Sequence, residues 1–372
     1  MTFASRASTT LGGALFATWL VGCATAELAP PSTTPPAAST PAHAPAGPPP
    51  TAKLVMMDVG TGLAIFVQGE DFSLLYDAGS NDDLATGASN RALAYLSILL
   101  GPSGPADCGV GRTDAIPERA IDHVFLSHPH RDHLSMLPDV LHCYSVRNVW
   151  EPGLEAGSAA FAAFARAATD EPGAVLHRAD RAPHQFEIGT RIPLGKGVRA
   201  TVLSVRPTAK DPNDASIVLR LDVGAVRVLF MGDAGGGDRQ VPSHAPSRSS
   251  VEAELLAKHR TDLRADVLVV GHHGSMTSSR DAFLDAVGPR FALVSSGPKP
   301  YGRVNLPDRE VIAALQAHGA SVLRTDDDDP ACRRAEEKVG PDADGAPGGC
   351  SAVTLTLGGK PPVVVSRGPA RD

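Results

Sequence analysis

Three histidines and an aspartate occur within six residues near the middle of the chain, at His128, His130, Asp132 and His133. They directly follow residues 121–126, an apolar run that is typical of a buried β-strand. Imidazole and carboxylate groups suit zinc, manganese or iron, and ligands so close in sequence can converge from a turn at a strand end. Because Asp132 and His133 are adjacent, they can reach a different ion from the one held by the first two histidines. The motif therefore predicts a centre for two metal ions.

Two later apolar runs also end in side chains that can bind a metal. Residues 228–231 are followed by Asp233 among glycines, and residues 266–270 are followed by the adjacent pair His272 and His273. We expect one of the paired histidines to bind the second ion. The other would bind phosphate or orient its neighbour, and the sequence leaves this choice open.

The spacing His-x-His-x-Asp-His resembles the signature of the metallo-β-lactamase superfamily. From about Lys53 to the C-terminus, the chain resembles the metallo-β-lactamase domain of the ComEC/Rec2 competence proteins and its free-standing relatives. The stretches that carry this resemblance are residues 58–62, 127–133, 213–219, 231–235 and 271–279.

The resemblance implies a set of roles for these residues. Asp233 would bridge two divalent ions, zinc or manganese, and Asp132 would take or relay a proton. Asp58 and Asp77, each at the end of an early strand, would orient the metal loop from behind the ligands.

Two departures from the usual pattern concern the ligands and the substrate. The lone histidine that the superfamily places before the bridging aspartate is missing, and Asn213 stands there, as in the competence branch. We interpret His177 and His184 as surface residues rather than as its replacement. The site around the first two histidines of the motif should therefore be completed by water or Asn213. We expect it to bind its ion more weakly and to favour manganese.

The second departure follows Tyr301-Gly302, where the competence branch has His-Pro and this chain has Arg303. A guanidinium group suits a phosphate oxygen. Ser275, Tyr301 and Arg303 are therefore candidate contacts of the substrate.

These features predict a hydrolase in which a metal-bound hydroxide attacks the substrate. A phosphodiesterase or nuclease acting on nucleic acid or nucleotides is the first hypothesis. A lactonase or β-lactamase type of enzyme and a non-catalytic metal-binding lipoprotein are the alternatives. The net charge of −7 counts modestly against tight binding of DNA, although it does not exclude a nuclease whose metals contact the phosphate.

The N-terminus is expected to direct export. Residues 1–23 contain an apolar stretch too short for a permanent membrane span, and they end in Leu-Val-Gly-Cys, which resembles the lipobox of bacterial lipoproteins. Cys23 would carry the lipid and anchor the protein on the periplasmic or cell-surface side of a membrane. An ordinary secretory signal is the alternative. No protein partner can be inferred.

The remaining chain divides into a tether and a folded domain. Residues 24–52 are rich in Pro, Ala, Thr and Ser and are expected to form an extended linker, and residues 53–372 are expected to form the hydrolase domain. Four further cysteines, an even number, suit an oxidising compartment. We expect the disulfides Cys108–Cys143 and Cys332–Cys350, although four cysteines allow three pairings.

The elements that must position the motifs alternate along the chain. Strands dominate the first half, and helix–strand pairs follow in the second. With the motif, this pattern predicts an α/β fold: a four-layer αβ/βα sandwich of two mixed β-sheets. Helices are predicted at residues 90–100, 134–143, 158–169, 251–258, 280–286 and 309–318.

Overall fold

The structure, a computed structural model, describes residues 50–109, 111–327, 351–359 and 363–367. Its first sheet runs in the order β15-β14-β1-β2-β3-β4-β5-β6. Strands β1 to β3 and the two C-terminal strands pair antiparallel, whereas β3 to β6 are parallel. The strands are β1 (Ala52–Met56), β2 (Gly62–Gly69), β3 (Ser73–Ser80), β4 (Ala120–Phe125), β5 (Ser145–Glu151), β6 (Val175–Arg178), β14 (Val353–Leu357) and β15 (Val363–Arg367).

The second sheet runs in the order β13-β12-β11-β10-β9-β8-β7. It repeats the plan of the first sheet, because β7 to β10 pair antiparallel and β10 to β13 pair parallel. The strands are β7 (Arg191–Gly195), β8 (Val198–Ser204), β9 (Val218–Val223), β10 (Val226–Phe230), β11 (Val267–Val269), β12 (Phe291–Val294) and β13 (Ser321–Arg324).

Seven α-helices lie within the described ranges and cover the outer faces of the sheets. Helices α1, α3 and α4 pack on the first sheet, and helices α5, α6 and α7 pack on the second. The helices are α1 (Arg91–Leu99), α2 (Arg131–Leu134), α3 (Leu137–Cys143), α4 (Ala159–Asp170), α5 (Val251–Lys258), α6 (Asp281–Val287) and α7 (Arg309–Ala317).

Both faces of each sheet are buried, and neighbouring residues of one strand therefore enter different cores. In β10, Val228 and Phe230 face the core between the sheets, whereas Leu229 faces the helices. Successive side chains of a strand point to opposite faces, so these apolar runs need a cover on each side. The predicted four-layer αβ/βα sandwich is thereby confirmed.

Two local features differ from the sequence-based expectation. The predicted helix 134–143 is divided into α2 and α3, and α2 begins at Arg131, inside the metal motif. Strands β6 and β7 are not evident from the sequence because both lie at sheet edges. Strand β7 even contains Pro193, which a central strand would not tolerate.

Parallel strands of both sheets bring the candidate site together. Strand β4 leads into the His-rich motif, β10 leads to Asp233, and β11 leads to the paired histidines. In open α/β sheets, ligands bind outside the carboxyl ends of parallel strands. The fold therefore places all three motifs at the kind of edge where such sites form.

The described residues contain a disulfide between Cys108 and Cys143, which are 35 positions apart. It ties the insertion that follows α1 to the end of α3. Cys332 and Cys350, like Cys23 and the predicted signal, lie outside the described residues. Nowhere in the described ranges is a helix both long and apolar enough to cross a membrane.

Candidate metal centre

Asp77 organises the beginning of the metal-binding loop. Its carboxylate is fully buried and accepts hydrogen bonds from the backbone N–H of Ser127 at 2.7 Å and from the Ser127 hydroxyl at 2.7 Å. It also lies 2.8 Å from Nδ1 of His133, which donates to it. A histidine whose Nδ1 is held in this way presents Nε2 to a metal. The contacts of Asp77 are thus those that the orienting role predicted from the sequence requires.

A close approach of β3 to α2 makes this arrangement possible. A Cβ atom on Gly79 would lie 2.5 Å from the backbone nitrogen of His133, so only glycine fits there. Asp77 itself has φ of 58°, a left-handed conformation that Asp and Asn adopt more readily than most residues. The strand end is therefore shaped to hold the helix that carries Asp132 and His133.

Asp233 lies at the middle of the cluster, and its two oxygens face different imidazoles. Oδ1 is 3.2 Å from Nε2 of His133, and Oδ2 is 3.5 Å from Nε2 of His128. The backbone N–H of Asp233 donates to the hydroxyl of Ser216 at 3.0 Å. Oδ1 is buried and has no hydrogen-bond donor. A buried carboxylate oxygen without a donor is costly unless a cation or a water binds it.

The paired histidines divide between the two oxygens of Asp233. Nε2 of His273 lies 3.7 Å from Oδ1, whereas Nε2 of His272 lies 3.8 Å from Oδ2. Both residues have positive φ angles, 50° for His272 and 53° for His273. Two consecutive left-handed residues turn both side chains toward the same centre. Such strain is characteristic of functional sites.

Each of these two imidazoles is fixed through its other nitrogen. Nδ1 of His273 donates to the carbonyl oxygen of Ser295 at 2.9 Å, and Nδ1 of His272 lies 2.7 Å from the hydroxyl of Thr277. Nδ1 of His128 lies 3.0 Å from the hydroxyl of Ser127. With His133, four imidazoles thus have Nδ1 partnered and Nε2 directed at Asp233.

Asp132 joins the side of the centre that contains His133 and His273. One of its oxygens lies 3.4 Å from Nε2 of His273 and accepts a hydrogen bond of 2.8 Å from the hydroxyl of Tyr301. The Tyr301 ring stacks on the His273 ring with centroids 5.3 Å apart. Tyr301 therefore contacts two of the candidate ligands themselves.

His130 and Asn213 lie on the other side of the centre. Nδ1 of His130 is 3.0 Å from Nε2 of His128. Asn213 lines the same cleft as Asp233 and His272, and its buried amide oxygen has no hydrogen-bond partner. The residues expected to complete the first site are thus adjacent to it, together with His272.

Burial and neighbouring charges set the protonation states of this cluster. Burial opposes ionisation of Asp233, but the imidazoles around it outweigh burial and hold its pKa well below the usual range. Burial lowers the pKa of His128 well below its usual value, so its imidazole is neutral. Burial also disfavours the charged form of His133, but Asp233 and Asp77 raise its pKa. The centre thus combines ionised carboxylates with imidazoles, a donor set that suits divalent transition metals.

The residues fit two metal ions. Two overlapping groups have ligand atoms within 4.8 Å of one another: His128 with His133 and Asp233, and Asp132 with His133 and His273. The unpartnered Oδ1 of Asp233 lies where these groups meet. Together with the oriented Nε2 atoms, it makes this cluster a candidate metal centre.

Five further residues that the sequence singled out have surroundings that the sequence did not indicate. Asp58 accepts from the backbone N–H groups of Gly60 and Ser351 and lies 3.6 Å from Arg91, rather than contacting the metal loop. Ser275 is buried and accepts from Arg239 and from the hydroxyl of Thr277, which in turn contacts His272. Arg303 is exposed. His184 is exposed, but His177 is half-buried and stacks on Trp150 with centroids 3.7 Å apart.

Several residues that support the centre were not found from the sequence. They are hydroxyl or carbonyl groups that hold the ligands in place, and they belong to Ser127, Ser216, Thr277 and Ser295. Ser127 and Thr277 lie within or beside the motifs, so their positions in the sequence could have indicated a supporting role. Ser216 and Ser295 come from other strand ends and are recognised only in three dimensions.

A polar cleft of about 580 Å³ opens beside the centre. Asp233, His272 and Asn213 line it, together with Thr277 and residues of the loop after Asp233. A cavity of this size suits a small ligand, since such sites usually measure about 300–1,000 Å³.

A four-layer α/β sandwich with a His/Asp centre at the carboxyl ends of its strands defines a class of metal-binding proteins. A family model described as the Metallo-beta-lactamase superfamily matches residues 57–297. The chain therefore belongs to the metallo-β-lactamase superfamily, whose members are generally metal-dependent hydrolases.

Competence proteins are among the similar curated proteins. The chain is 28% identical over 279 residues to "Competence protein ComA" of Neisseria gonorrhoeae, a match that covers 74% of this chain and 31% of that protein. It is 32% identical over 149 residues to "ComE operon protein 3" of Bacillus subtilis (strain 168), covering 39% of this chain and 17% of that protein. The chain thus matches about a third or less of the length of these relatives.

Among solved structures, the metallo-beta-lactamase fold protein YhfI from Bacillus subtilis is similar with a TM-score of 0.43 and 15% identity. The match covers 75% of this chain and 97% of YhfI.

Proposed function

We propose that the protein is a two-metal phosphodiesterase. The observation that carries this proposal is the division of imidazoles around Asp233, whose two oxygens each face two Nε2 atoms at 3.2–3.8 Å. One ion would be held by Oδ2 of Asp233 with the imidazoles of His128, His130 and His272. The other would be held by Oδ1 of Asp233 with Asp132, His133 and His273.

This assignment differs from the sequence-based expectation that the site of His128 and His130 lacks a third imidazole and binds its ion weakly. His272 supplies an imidazole on the side of His128, where the usual lone histidine is missing. Asn213, which lines the same cleft, would then be a further oxygen donor rather than the main substitute. Both members of the histidine pair become ligands, one for each ion.

Bound divalent ions would polarise a phosphoryl oxygen and make water a stronger acid. The protein's own side chains supply the rest of the chemistry. Asp132, held by the Tyr301 hydroxyl at 2.8 Å, is the carboxylate placed to accept a proton from an attacking water. Asp77 and Ser127 keep the histidines oriented, so little reorganisation is needed during the reaction.

The polar character of the cleft favours a phosphodiester over a lactone or β-lactam. Its lining contains no Leu, Ile, Val, Phe, Tyr or Trp side chain among the described residues. An acyl chain or a bicyclic lactam would find no apolar surface there, whereas a hydrophilic phosphate ester loses little hydration. The similarity to competence proteins also favours a phosphodiester substrate.

Export and membrane anchoring remain part of the proposal. The disulfide between Cys108 and Cys143 is consistent with an oxidising compartment. Cys23 would supply the anchor, which leaves the folded domain on the outer side of the membrane.

The test is a comparison of substrate classes with defined metal content. Full-length protein stripped with a chelator and reloaded with zinc or manganese would be assayed on bis(p-nitrophenyl) phosphate, single-stranded DNA and nitrocefin. We expect hydrolysis of phosphodiesters only, with loss of at least about 1,000-fold in Asp233→Ala, because both ions lose their shared ligand. His177→Ala is the matched control, since this imidazole packs on Trp150 outside the centre.

Two results would contradict the proposal. Hydrolysis of nitrocefin without hydrolysis of phosphodiesters would indicate a lactonase or β-lactamase type of enzyme. Tight binding of two ions with no hydrolysis of any substrate would favour a non-catalytic metal-binding protein.

A further inference from the structure

The cleft beside the metal centre has an unusual charge distribution for a phosphodiesterase. Four carboxylates line it, whereas Arg239 is the sole cationic side chain in its described lining. The carboxylates belong to Asp211, Asp214, Asp233 and Asp238. Asp233 is nearly fully buried, and its unpartnered Oδ1 belongs to the metal centre beside the cleft.

Two arginines at this cleft already form ion pairs with carboxylates. Arg239 forms an ion pair with Asp308 at 2.5 Å. Arg206 lies 3.7 Å from Asp214, but it forms a shorter ion pair with Glu254 at 2.6 Å. A second phosphate group in the cleft would therefore meet several carboxylates, whereas Arg239, the cation in the described lining, is already engaged by Asp308.

The cleft also lacks the groups that recognise a nucleobase. Its described lining contains no Phe, Tyr or Trp. Besides the charged residues, Asn213 and His272, its side chains are short and hydroxylated, from Ser247, Ser249, Ser250 and Thr277. Proteins that bind single-stranded nucleic acid combine cations along the backbone with aromatic platforms for the bases. This cleft offers neither of these features.

The loop that forms one wall of the cleft is held firmly in place. Arg280 is buried and donates to the carbonyl oxygens of Asp238, Gln240 and Val241. Glu252, also buried, accepts from the backbone N–H groups of residues 279 and 280. The size and charge of the cleft are thus built into the fold.

We infer that the substrate is a small phosphodiester of a hydrophilic alcohol that carries no negative charge, with a cationic amino alcohol fitting best. This inference rests on the proposed phosphodiesterase function. Water would add to phosphorus while one of the two ester bonds from phosphorus to oxygen breaks, and the departing oxygen takes up a proton. The products are a phosphomonoester and the free alcohol. Carboxylates and hydroxyls of the cleft hold the alcohol.

Three phosphodiesters test this inference with the full-length, metal-loaded protein. They are p-nitrophenyl phosphorylcholine, bis(p-nitrophenyl) phosphate and oligothymidylate. We expect kcat/KM per phosphodiester to be highest for the cationic ester, by about tenfold or more over oligothymidylate. This preference should shrink at about 1 M salt, where screening acts within about 3 Å.

Asp238→Lys tests whether the cleft causes the preference. We expect it to reverse or abolish the advantage of the cationic ester over oligothymidylate. Asp170→Lys makes the same change of charge at an exposed position on α4, which packs on the other sheet, and should leave the ratio unchanged. Asp238→Asn, with circular dichroism as the check on folding, serves if the lysine variant does not fold.

The possible outcomes distinguish failure of the substrate inference from failure of the phosphodiesterase proposal. A preference for oligothymidylate, or an unchanged ratio in the folded Asp238 variants, overturns the inference and leaves a phosphodiesterase of another specificity. Absence of hydrolysis with all three esters refutes the phosphodiesterase itself, and the inference falls with it.

Discussion

Asp77→Asn offers a direct test of how the metal centre is held. The Asp77 carboxylate contacts the N–H and hydroxyl of Ser127, both at 2.7 Å, and Nδ1 of His133 at 2.8 Å. An amide of the same shape retains only one oxygen. If that oxygen keeps the Ser127 N–H, the amide NH₂ faces His133. Nδ1 must then accept, and Nε2 carries the proton that prevents it from binding a metal.

The size of the effect follows from the role of such supporting groups. Their loss typically reduces metal affinity by about 10–100-fold, which corresponds to about 1.4–2.7 kcal/mol. The backbone should tolerate the change, because asparagine also accepts the φ of 58° at this position. We therefore expect weaker binding of the ion held by His133 in a protein that remains folded.

Competition with a chromophoric chelator measures the affinity, and circular dichroism checks the fold. Asp58→Asn is the matched control. It makes the same change at a carboxylate that binds Gly60 and Ser351 rather than the metal loop, so it should lower stability without changing metal affinity. Equal metal affinity in Asp77→Asn and the parent protein would refute the orienting role of Asp77.

Four further predictions address separate parts of the molecule. His272→Ala and His273→Ala should each weaken a different one of the two metal sites in a calorimetric titration, whereas loss of the same site in both variants would contradict the assignment. Cys108→Ser removes a cross-link between residues 35 positions apart, and should lower the free energy of unfolding in urea by about 3–4 kcal/mol. Burial raises the pKa of Glu252 from 4.5 to about 7, so the folded protein binds a proton that the unfolded chain lacks, and stability falls as pH rises through this window. Between pH 5 and pH 8, Glu252→Gln should reduce the change in the free energy of unfolding with pH by up to about 3 kcal/mol, as measured by denaturation curves at each pH. Cys23→Ser should release the protein from the membrane fraction or leave an uncleaved precursor.

Much of the fold and of the candidate centre could be predicted because the residues that can bind a metal directly follow predicted strands in this sequence. Each ligand motif directly follows an apolar run long enough for a buried strand, as at Asp233 after β10. Parallel strands then bring those ends to one edge by topology alone. The layer architecture followed from the same alternation of strands and helices.

The roles within the histidine pair could not be predicted, since they depend on backbone conformation. Adjacent side chains normally diverge, but His272 and His273 both have positive φ and therefore face the same carboxylate. Nothing in their residue type requires this conformation. Tyr301 likewise meets Asp132 from a position 169 residues away, a contact that only the folded chain creates.

The centre depends on the packing of the two sheets against each other. His128 and His133 follow a strand of the first sheet, whereas Asp233 follows a strand of the second. A buried hydrogen bond from the Tyr76 hydroxyl to the carbonyl oxygen of Ile217, 2.7 Å long, joins the sheets near this edge. Because ligands from either sheet alone leave each ion incompletely held, metal binding and the association of the sheets are thermodynamically linked. Ions bound at this centre would therefore stabilise the sandwich as well.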